Sequence, residues 1–283
     1  MAAAHPPVVL CFSGNDPSGG AGISADIEAL ASLGCHCAPV VTVLTVQDTT
    51  NVINYEIVDP DLIRAQAEAV LRDMPVAVIK IGMLADPAVA TTIAEILRQH
   101  PDIPVVIDPV LAAGGGADMV NDPFLKTLLK ELLPLATLVT PNASELRRLC
   151  PEQSDLDDAA EVLLDLGIDH VLVTGADEPT AIVMNTLYSI EYETEIFHWE
   201  RLPAMYHGSG CTLAASCAGL MAQGLNVFEA CNEAQEFTYN ALKEGYALGQ
   251  GQWLPNRLFW AHGRDIEASN DDEDDLPHDD SEE

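Results

Sequence analysis

The chain has 283 residues, 48% of them hydrophobic, with 19 Gly and 18 Pro, which is the make-up of an ordinary globular enzyme with room for a substantial core. Twelve Lys and Arg stand against 45 Asp and Glu, a net charge of −33, so the surface repels nucleic acid and anionic membranes. No apolar run approaches the roughly 18 residues needed to span a bilayer, and Val8–Phe12 is too short, with no basic residue before it, for a secretory leader; a cytoplasmic protein is expected.

Strand-like and helix-like segments alternate along the chain. Val8–Phe12 reads as a buried strand, followed by a helix over 20–33 with Ile23, Ile27 and Leu30 on one stripe and Gly34 at its C′ position. Pro39–Val46 and Val76–Ile81 are β-branched runs typical of central parallel strands. Asp59-Pro60, Asp86-Pro87 and Asp122-Pro123 each read as an N-cap followed by proline at the first helical position. Further strands are predicted at Val105–Ile107, Thr137–Thr140, Val171–Val173, Ala181–Val183 and near Ile196–Trp199, and long helices over 209–223 and 226–247. The alternation predicts one doubly wound α/β domain over residues 1–264 with a mainly parallel sheet. Residues 265–283 hold 11 of the acids and predict a solvated, disordered tail; without them residues 1–264 still carry 34 acids against 12 bases. With only four lysines, the acidity hints at a saline cytoplasm.

Seven cysteines, odd in number and scattered, fit a reducing compartment. Cys35-His36-Cys37 resembles half a metal site, but no second pair sits at ligand spacing, and two thiols at a helix-to-strand turn is the simpler reading.

Ligands of open α/β sheets bind beyond the carboxyl ends of the strands, and the unusual clusters fall there. Strand one delivers Ser13-Gly-Asn-Asp-Pro-Ser-Gly-Gly-Ala-Gly22, which is neither a dinucleotide fingerprint nor a Walker loop. Later ends give Thr45-Val-Gln-Asp-Thr49, Lys80-Ile-Gly-Met-Leu84, Asp108-Pro-Val110 and Thr140-Pro-Asn-Ala-Ser-Glu145. Gln47, Asp48 and Asp108 could each simply cap or turn a strand, and Asn142-x-x-Glu145 could be a plain helix cap. His207-Gly-Ser-Gly-Cys-Thr212 is the most informative stretch: a small-residue turn entering an apolar helix. Its unpaired N–H groups and helix dipole suit a phosphoryl group. Cys211, in the first turn, is expected to have a thiol pKa below its usual ~8.5; a buried helix-start cysteine is the plain alternative.

Taken in order, these motifs resemble the hydroxymethylpyrimidine/phosphomethylpyrimidine kinases of thiamine biosynthesis, in the ribokinase-like superfamily, over residues 8 to about 250. The resemblance implies a three-layer α/β/α fold. It also implies transfer of the ATP γ-phosphoryl group to 4-amino-5-hydroxymethyl-2-methylpyrimidine and then to its monophosphate. Gln47 takes the position of the pyrimidine-reading residue, whose carboxamide offers a donor and an acceptor. Gly14, Ala21, Asp26, Met83 and Val110 complete the implied substrate pocket. Asp108 and Glu145 would hold Mg²⁺ directly or through water, as hard oxygens do. Asn142, Thr174 and Gly175 would lie at ATP, and Gly208, Ser209, Gly210 and Cys211 would form the anion hole and base. The implied partners are small molecules alone, and a homodimer is left open.

Two departures stand out. Enterobacterial members carry Lys-Gly-Gly-His where this chain has Thr174-Gly-Ala-Asp177, and the loop Leu111-Ala-Ala-Gly-Gly-Gly116 lacks a basic residue. Rival readings are a pyridoxal or pyridoxine kinase and a non-catalytic pyrimidine-binding sensor. No site role is evident for Gly249–Trp260.

Overall fold

The computed structural model describes residues 5–112 and 120–263. The glycines of the 111–116 loop from Ala113 onward and the acidic 265–283 segment lie outside the described residues. Among the described residues nine strands form one sheet: β1 Val8–Asn15, β2 His36–Gln47, β3 Val52–Ile57, β4 Val76–Ile81, β5 Val105–Ile107, β6 Leu138–Val139, β7 His170–Val173, β8 Ile182–Ser189 and β9 Glu195–Glu200. Their order is β3-β2-β1-β4-β5-β6-β7-β8-β9. The central six run parallel; β3, β8 and β9 are antiparallel additions at the edges.

Alternation along each central strand splits the core into two layers. Leu10, Phe12, Ile79, Ile81, Val105 and Ile107 point to one face, where they pack with helices α2 Pro60–Asp73, α3 Pro87–Gln99, α4 Asp122–Thr127, α5 Ala143–Leu149 and α6 Leu156–Asp165. Val9, Cys11, Val78 and Val106 point to the other, against α1 Gly22–Ser32, α7 Ser209–Ala222 and α8 Val227–Lys243. Buried on both faces, these strands carry continuous apolar runs, as central parallel strands do. The three-layer ribokinase-like α/β/α arrangement is present.

Several boundaries differ from the sequence-based expectation. Asp59 and Asp86 do cap α2 and α3, but α4 is capped by Asn121, whose side chain accepts from Phe124 N–H; Asp122 and Pro123 lie inside the helix. The helix expected over 226–247 stops at Lys243, and the strand expected at 181–183 runs on to Ser189. Strand β3 escaped notice because its residues are mostly exposed and lack a buried stripe. Gly34 holds the left-handed C′ position after α1, with φ +76°. Cys35 donates to Gly219 O and His36 opens β2, as the plain reading of Cys35-His36-Cys37 expects.

The chain leaves β1 for β2 on one side of the sheet and reaches β4 on the other. This strand-order reversal opens a crevice at the carboxyl ends of β1 and β4. No described helix is long and apolar enough to cross a membrane.

Candidate active site

A cleft of about 560 Å³ lies over the carboxyl ends of the parallel strands. Its first wall is the glycine-rich loop after β1. Buried Asp16 organises that loop: its carboxylate accepts from Ser18 N–H (2.8 Å), Ser18 Oγ (2.9 Å) and Ala21 N–H (2.9 Å). A fourth contact comes from across the cleft, where His207 Nε2 lies 2.8 Å from Asp16 Oδ2. The Gln47 carboxamide nitrogen lies 2.7 Å from that same ring nitrogen. Asp16, His207 and Gln47 therefore form one polar line beside Met83, Gly14, Ala21 and Val110, the pocket's small and apolar surfaces. Gly22 is required by geometry: at φ +60°, a Cβ there would sit 2.2 Å from Gly14 O.

The second wall is the entrance of α7. Gly208 is its N-cap in the left-handed region, φ 74°, and a Cβ on it would stand 2.0 Å from Gly20 O. The first intrahelical bond runs from Thr212 N–H to Gly208 O at 3.0 Å. The N–H groups of Ser209, Gly210 and Cys211 precede it, in residues that line the cleft. Gly210 faces Asp108: an added Cβ would meet only that carboxylate's oxygens, each at 3.8 Å.

The expectation of an acidic Cys211 thiol fails. Burial pushes it up to about 12, the Asp108 and Asp26 carboxylates add to the rise, and neither Lys80 nor the Gly22 N–H offsets them. The thiol instead hydrogen-bonds to Asp108. The dipole of α7 acts on a sulfur that has lost its water and faces negative charge, and the latter effects win.

Asp108 is itself pushed up to about 6 by burial, with Asp26 adding to the rise against Lys80 and the Cys211 thiol. Burial and the Asp108 charge push Glu145 up to about 8. Glu145 and Asn142 also form a capping box on α5: Glu145 N–H donates to Asn142 Oδ1 at 2.8 Å and Asn142 N–H to Glu145 Oε2 at 3.0 Å. The plain helix-cap reading is thus present, and both residues still line the cleft. Two buried, mutually repelling carboxylates at the edge of a polar cleft have the oxygen donors and the excess negative charge that a hard divalent cation relieves. The donor set fits such an ion.

The third wall comes from the ends of β6 and β7 and from the β8–β9 hairpin with α8. Thr174 N–H donates to Pro141 O (2.9 Å) and Ala143 N–H to Thr174 O (3.0 Å), closing the sheet under α5. Asp177 accepts from Ser144 N–H at 2.8 Å. Arg201, the cleft's one guanidinium among the described residues, binds the carbonyls of Ala176, Glu178 and Thr180 at 2.6–2.7 Å and so shapes the loop after β7. Beyond it, Val183, Trp199 and Leu242 give an apolar slot edged by Asn185, Gln235 and Thr238. Thr140 Oγ1 and Thr238 Oγ1 are buried without a partner and border the cleft, as suits a polar ligand.

Thirteen of the fifteen residues expected at the site line this one cleft. Asp26 does not: it is fully buried beneath the floor, paired with Lys80 and Ser13, so it supports the pocket without facing it. Gly175 does not either; its N–H donates to Asn185 Oδ1, and a Cβ on it would strike Met184 O at 2.3 Å. Asp16, His207 and Arg201 were missed. The first two sat inside motifs already noted, and the scarcity of basic residues was the available pointer to Arg201.

Residues 16–256 match the family described as phosphomethylpyrimidine kinase. A hydroxymethylpyrimidine/phosphomethylpyrimidine kinase of Synechococcus elongatus is 35% identical over 260 residues, covering 87% of this chain and 95% of that one. A probable thiamine biosynthetic bifunctional enzyme of Oryza sativa, chloroplastic, is 37% identical over 251 residues; the match covers 87% of this chain but only 46% of the rice protein. Among solved structures, the ADP complex of Bacillus subtilis pyridoxal kinase superposes with a TM-score of 0.81 at 29% identity, covering 90% of this chain and 99% of that one.

Proposed function

This chain belongs to the phosphomethylpyrimidine kinase family, and from that premise we propose that it phosphorylates 4-amino-5-hydroxymethyl-2-methylpyrimidine and then its monophosphate, with ATP as donor, for thiamine biosynthesis. The observation that carries the reading is the single cleft that joins the Gln47 side chain, with Met83, Gly14 and Val110, to a helix entrance at Gly208–Cys211. Its site is the kinase domain of residues 1–264, working on small molecules in the cytoplasm, with the acidic 265–283 segment taking no part.

In the first transfer the hydroxymethyl oxygen bonds to the γ-phosphorus as the bond to the β-bridging oxygen breaks, releasing ADP. The N–H groups of Ser209, Gly210 and Cys211 hold the transferring oxygens. The hydroxyl proton leaves to the hydrogen-bonded Cys211–Asp108 pair. In the second transfer the acceptor is an anionic phosphate oxygen, so no proton need leave. Asp108 and Glu145 would hold Mg²⁺, which neutralises triphosphate charge when bound. Thr174 and Asn142 lie where the phosphates pass, and the Trp199–Leu242 slot suits the adenine ring. Gln47, ordered by His207, presents its carboxamide to the pyrimidine's nitrogen-rich edge.

A pyridoxal kinase is the second reading, favoured by the Bacillus subtilis likeness. One assay separates them: MgATP with the pyrimidine alcohol, pyridoxal or pyridoxine, followed by resolution of mono- and diphosphates. Pyrimidine diphosphate, abolished by EDTA and restored by Mg²⁺, is the expected result. Phosphorylation of pyridoxal alone would overturn the pyrimidine assignment, and nucleotide or pyrimidine binding with no product from any acceptor would favour the sensor.

A further inference from the structure

The segment 249–257, which carries no recognisable motif, is threaded through the walls of the cleft. Gly251 N–H donates to Thr49 Oγ1 at 3.1 Å and Gln252 N–H to Thr49 O at 2.8 Å, holding the turn just past Gln47. Trp253 N–H donates to Met205 O, and Trp253 O accepts from His207 N–H, both at 2.9 Å. Asn256 N–H then docks on Ala241 O of α8 at 2.8 Å.

The segment ends in Arg257, 2% exposed and the bulkiest of the fully buried side chains. Its Nε donates to Thr212 Oγ1 at 2.9 Å, one terminal nitrogen to Gly20 O at 2.5 Å, and the other to Glu28 Oε2 at 2.9 Å. Thr212 is in the first turn of α7, and its hydroxyl also donates to Gly208 O at 2.8 Å. Gly20 leads into α1, and Glu28 sits on α1. One guanidinium therefore grips the entrances of both helices that bound the reacting space.

Burying a guanidinium carries a desolvation penalty, and a packed apolar residue would often be as stable there. Glu28 is 45% exposed, so the ion pair is partly screened. Stability alone is a poor account of this arginine. Its planar fork, however, fixes three acceptors in set directions. The carbonyl it holds on Gly20 is the one on which Gly208 rests, with no room for a Cβ between them. Across the same seam the Gly22 N–H is bonded to the Cys211 sulfur.

We infer that Arg257 is a positioning residue that sets the distance between the acceptor pocket at the α1 entrance and the phosphoryl site at the α7 entrance. The inference rests on the kinase reading above and adds to it a specific geometric control. A misplacement near 1 Å costs on the order of 10²-fold in transfer, while water, being small and plentiful, needs no aligned acceptor pocket.

The test compares wild type, Arg257→Met and Arg257→Lys for transfer to the pyrimidine alcohol and for uncoupled ATP hydrolysis, each per mole of folded protein. Arg257→Met should lose transfer kcat by about 10-fold or more with uncoupled hydrolysis nearly unchanged, so the ratio of the two falls. Arg257→Lys should recover part of that ratio, because it keeps the charge and some donors. Loss of folding alone lowers both rates together and leaves the ratio fixed. If Arg257→Met does not fold, the ratio is read in Arg257→Lys and in Thr212→Val, which removes one acceptor; a fall in both is expected. A wild type that transfers, beside variants with an unchanged ratio, would overturn the inference alone. A wild type that phosphorylates no acceptor would overturn the kinase reading and this inference with it.

Discussion

Lys80 Nζ and Asp26 Oδ1 lie 2.8 Å apart beneath the cleft floor, and neither side chain is exposed at all. Ser13 Oγ completes the cluster, donating to Asp26 Oδ2 at 2.5 Å and accepting from Lys80 at 3.1 Å. Room for the ammonium is left by Gly82, where a Cβ would stand 2.8 Å from Nζ. Burial alone would lower the lysine's pKa, but the Asp26 carboxylate, with Asp108 adding to it, outweighs burial and raises it above the usual value. A permanent positive charge therefore underlies the cleft floor beside Asp108.

Removing that charge should be costly. Lys80→Met leaves Asp26 as an uncompensated buried carboxylate, a loss of about 3–5 kcal/mol by denaturant unfolding. Lys80→Met combined with Asp26→Leu should recover most of it, since no charge is then stranded. Strictly additive losses in the double variant would show that the two groups do not depend on each other.

Asp16 supplies a pH dependence. Burial would raise its pKa, but the bonds from His207 and Ser18 outweigh burial and the net shift is downward from 3.8. A depressed folded-state carboxyl favours folding fully above the unfolded value of ~3.9, and that contribution disappears as the pH falls through the folded value. Asp16→Asn should thus be destabilised at pH 6 and approach wild type near pH 2–3, followed by urea unfolding at each pH. A gap that stays constant with pH would mean that the ionised form is not what the loop holds.

The parallel core was legible because double-sided burial writes continuous apolar runs at β1 and β4, and proline after a capping acid marked α2 and α3. The cleft was legible because its residues cluster at strand ends. What was not legible depended on distance in sequence. Arg257 meets Gly20 across 237 residues and His207 meets Asp16 across 191, and no local pattern encodes such pairings. Asp26 was misplaced for the same reason: Ala21 and Gly22 just before it line the cleft, while its own side chain turns under the floor to Lys80. The Cys211 thiol was misjudged because a helix entrance is visible in sequence and the desolvation and carboxylates around it are not.

Gln47 can be tested by size-matched removal of its amide. Gln47→Leu leaves the pyrimidine edge and His207 without that partner, at a cost of about 1–3 kcal/mol. KM for the pyrimidine should rise about 5- to 150-fold, with uncoupled ATP hydrolysis little changed. Unaltered pyrimidine kinetics would remove Gln47 from the acceptor pocket.

The acid excess makes a separate prediction. With 34 acids against 12 bases in residues 1–264, self-repulsion should be screened by salt, so Tm should climb between low and molar KCl. Deleting 265–283 should leave activity intact. A flat salt response would leave the acidity without this explanation, and lost activity would give the tail a part in the reaction.

Cys211 offers the sharpest separation of roles, because only the first transfer requires a proton to leave the acceptor. A thiol held protonated and bonded to Asp108 takes part as a hydrogen-bonding partner, a task that a hydroxyl can share. Cys211→Ser should therefore keep the first transfer within about 10-fold, whereas Cys211→Ala should lose about 10²-fold or more. The second transfer, assayed from the monophosphate, should survive in both, since the N–H groups of Ser209, Gly210 and residue 211 stay in place. Gly208→Ala should abolish both transfers, because its Cβ would collide with Gly20 O. If Ser falls as far as Ala in the first step, a resident thiolate is required and the burial argument is wrong. If Ala loses both steps equally, the sulfur shapes the anion hole and takes no part in moving the proton.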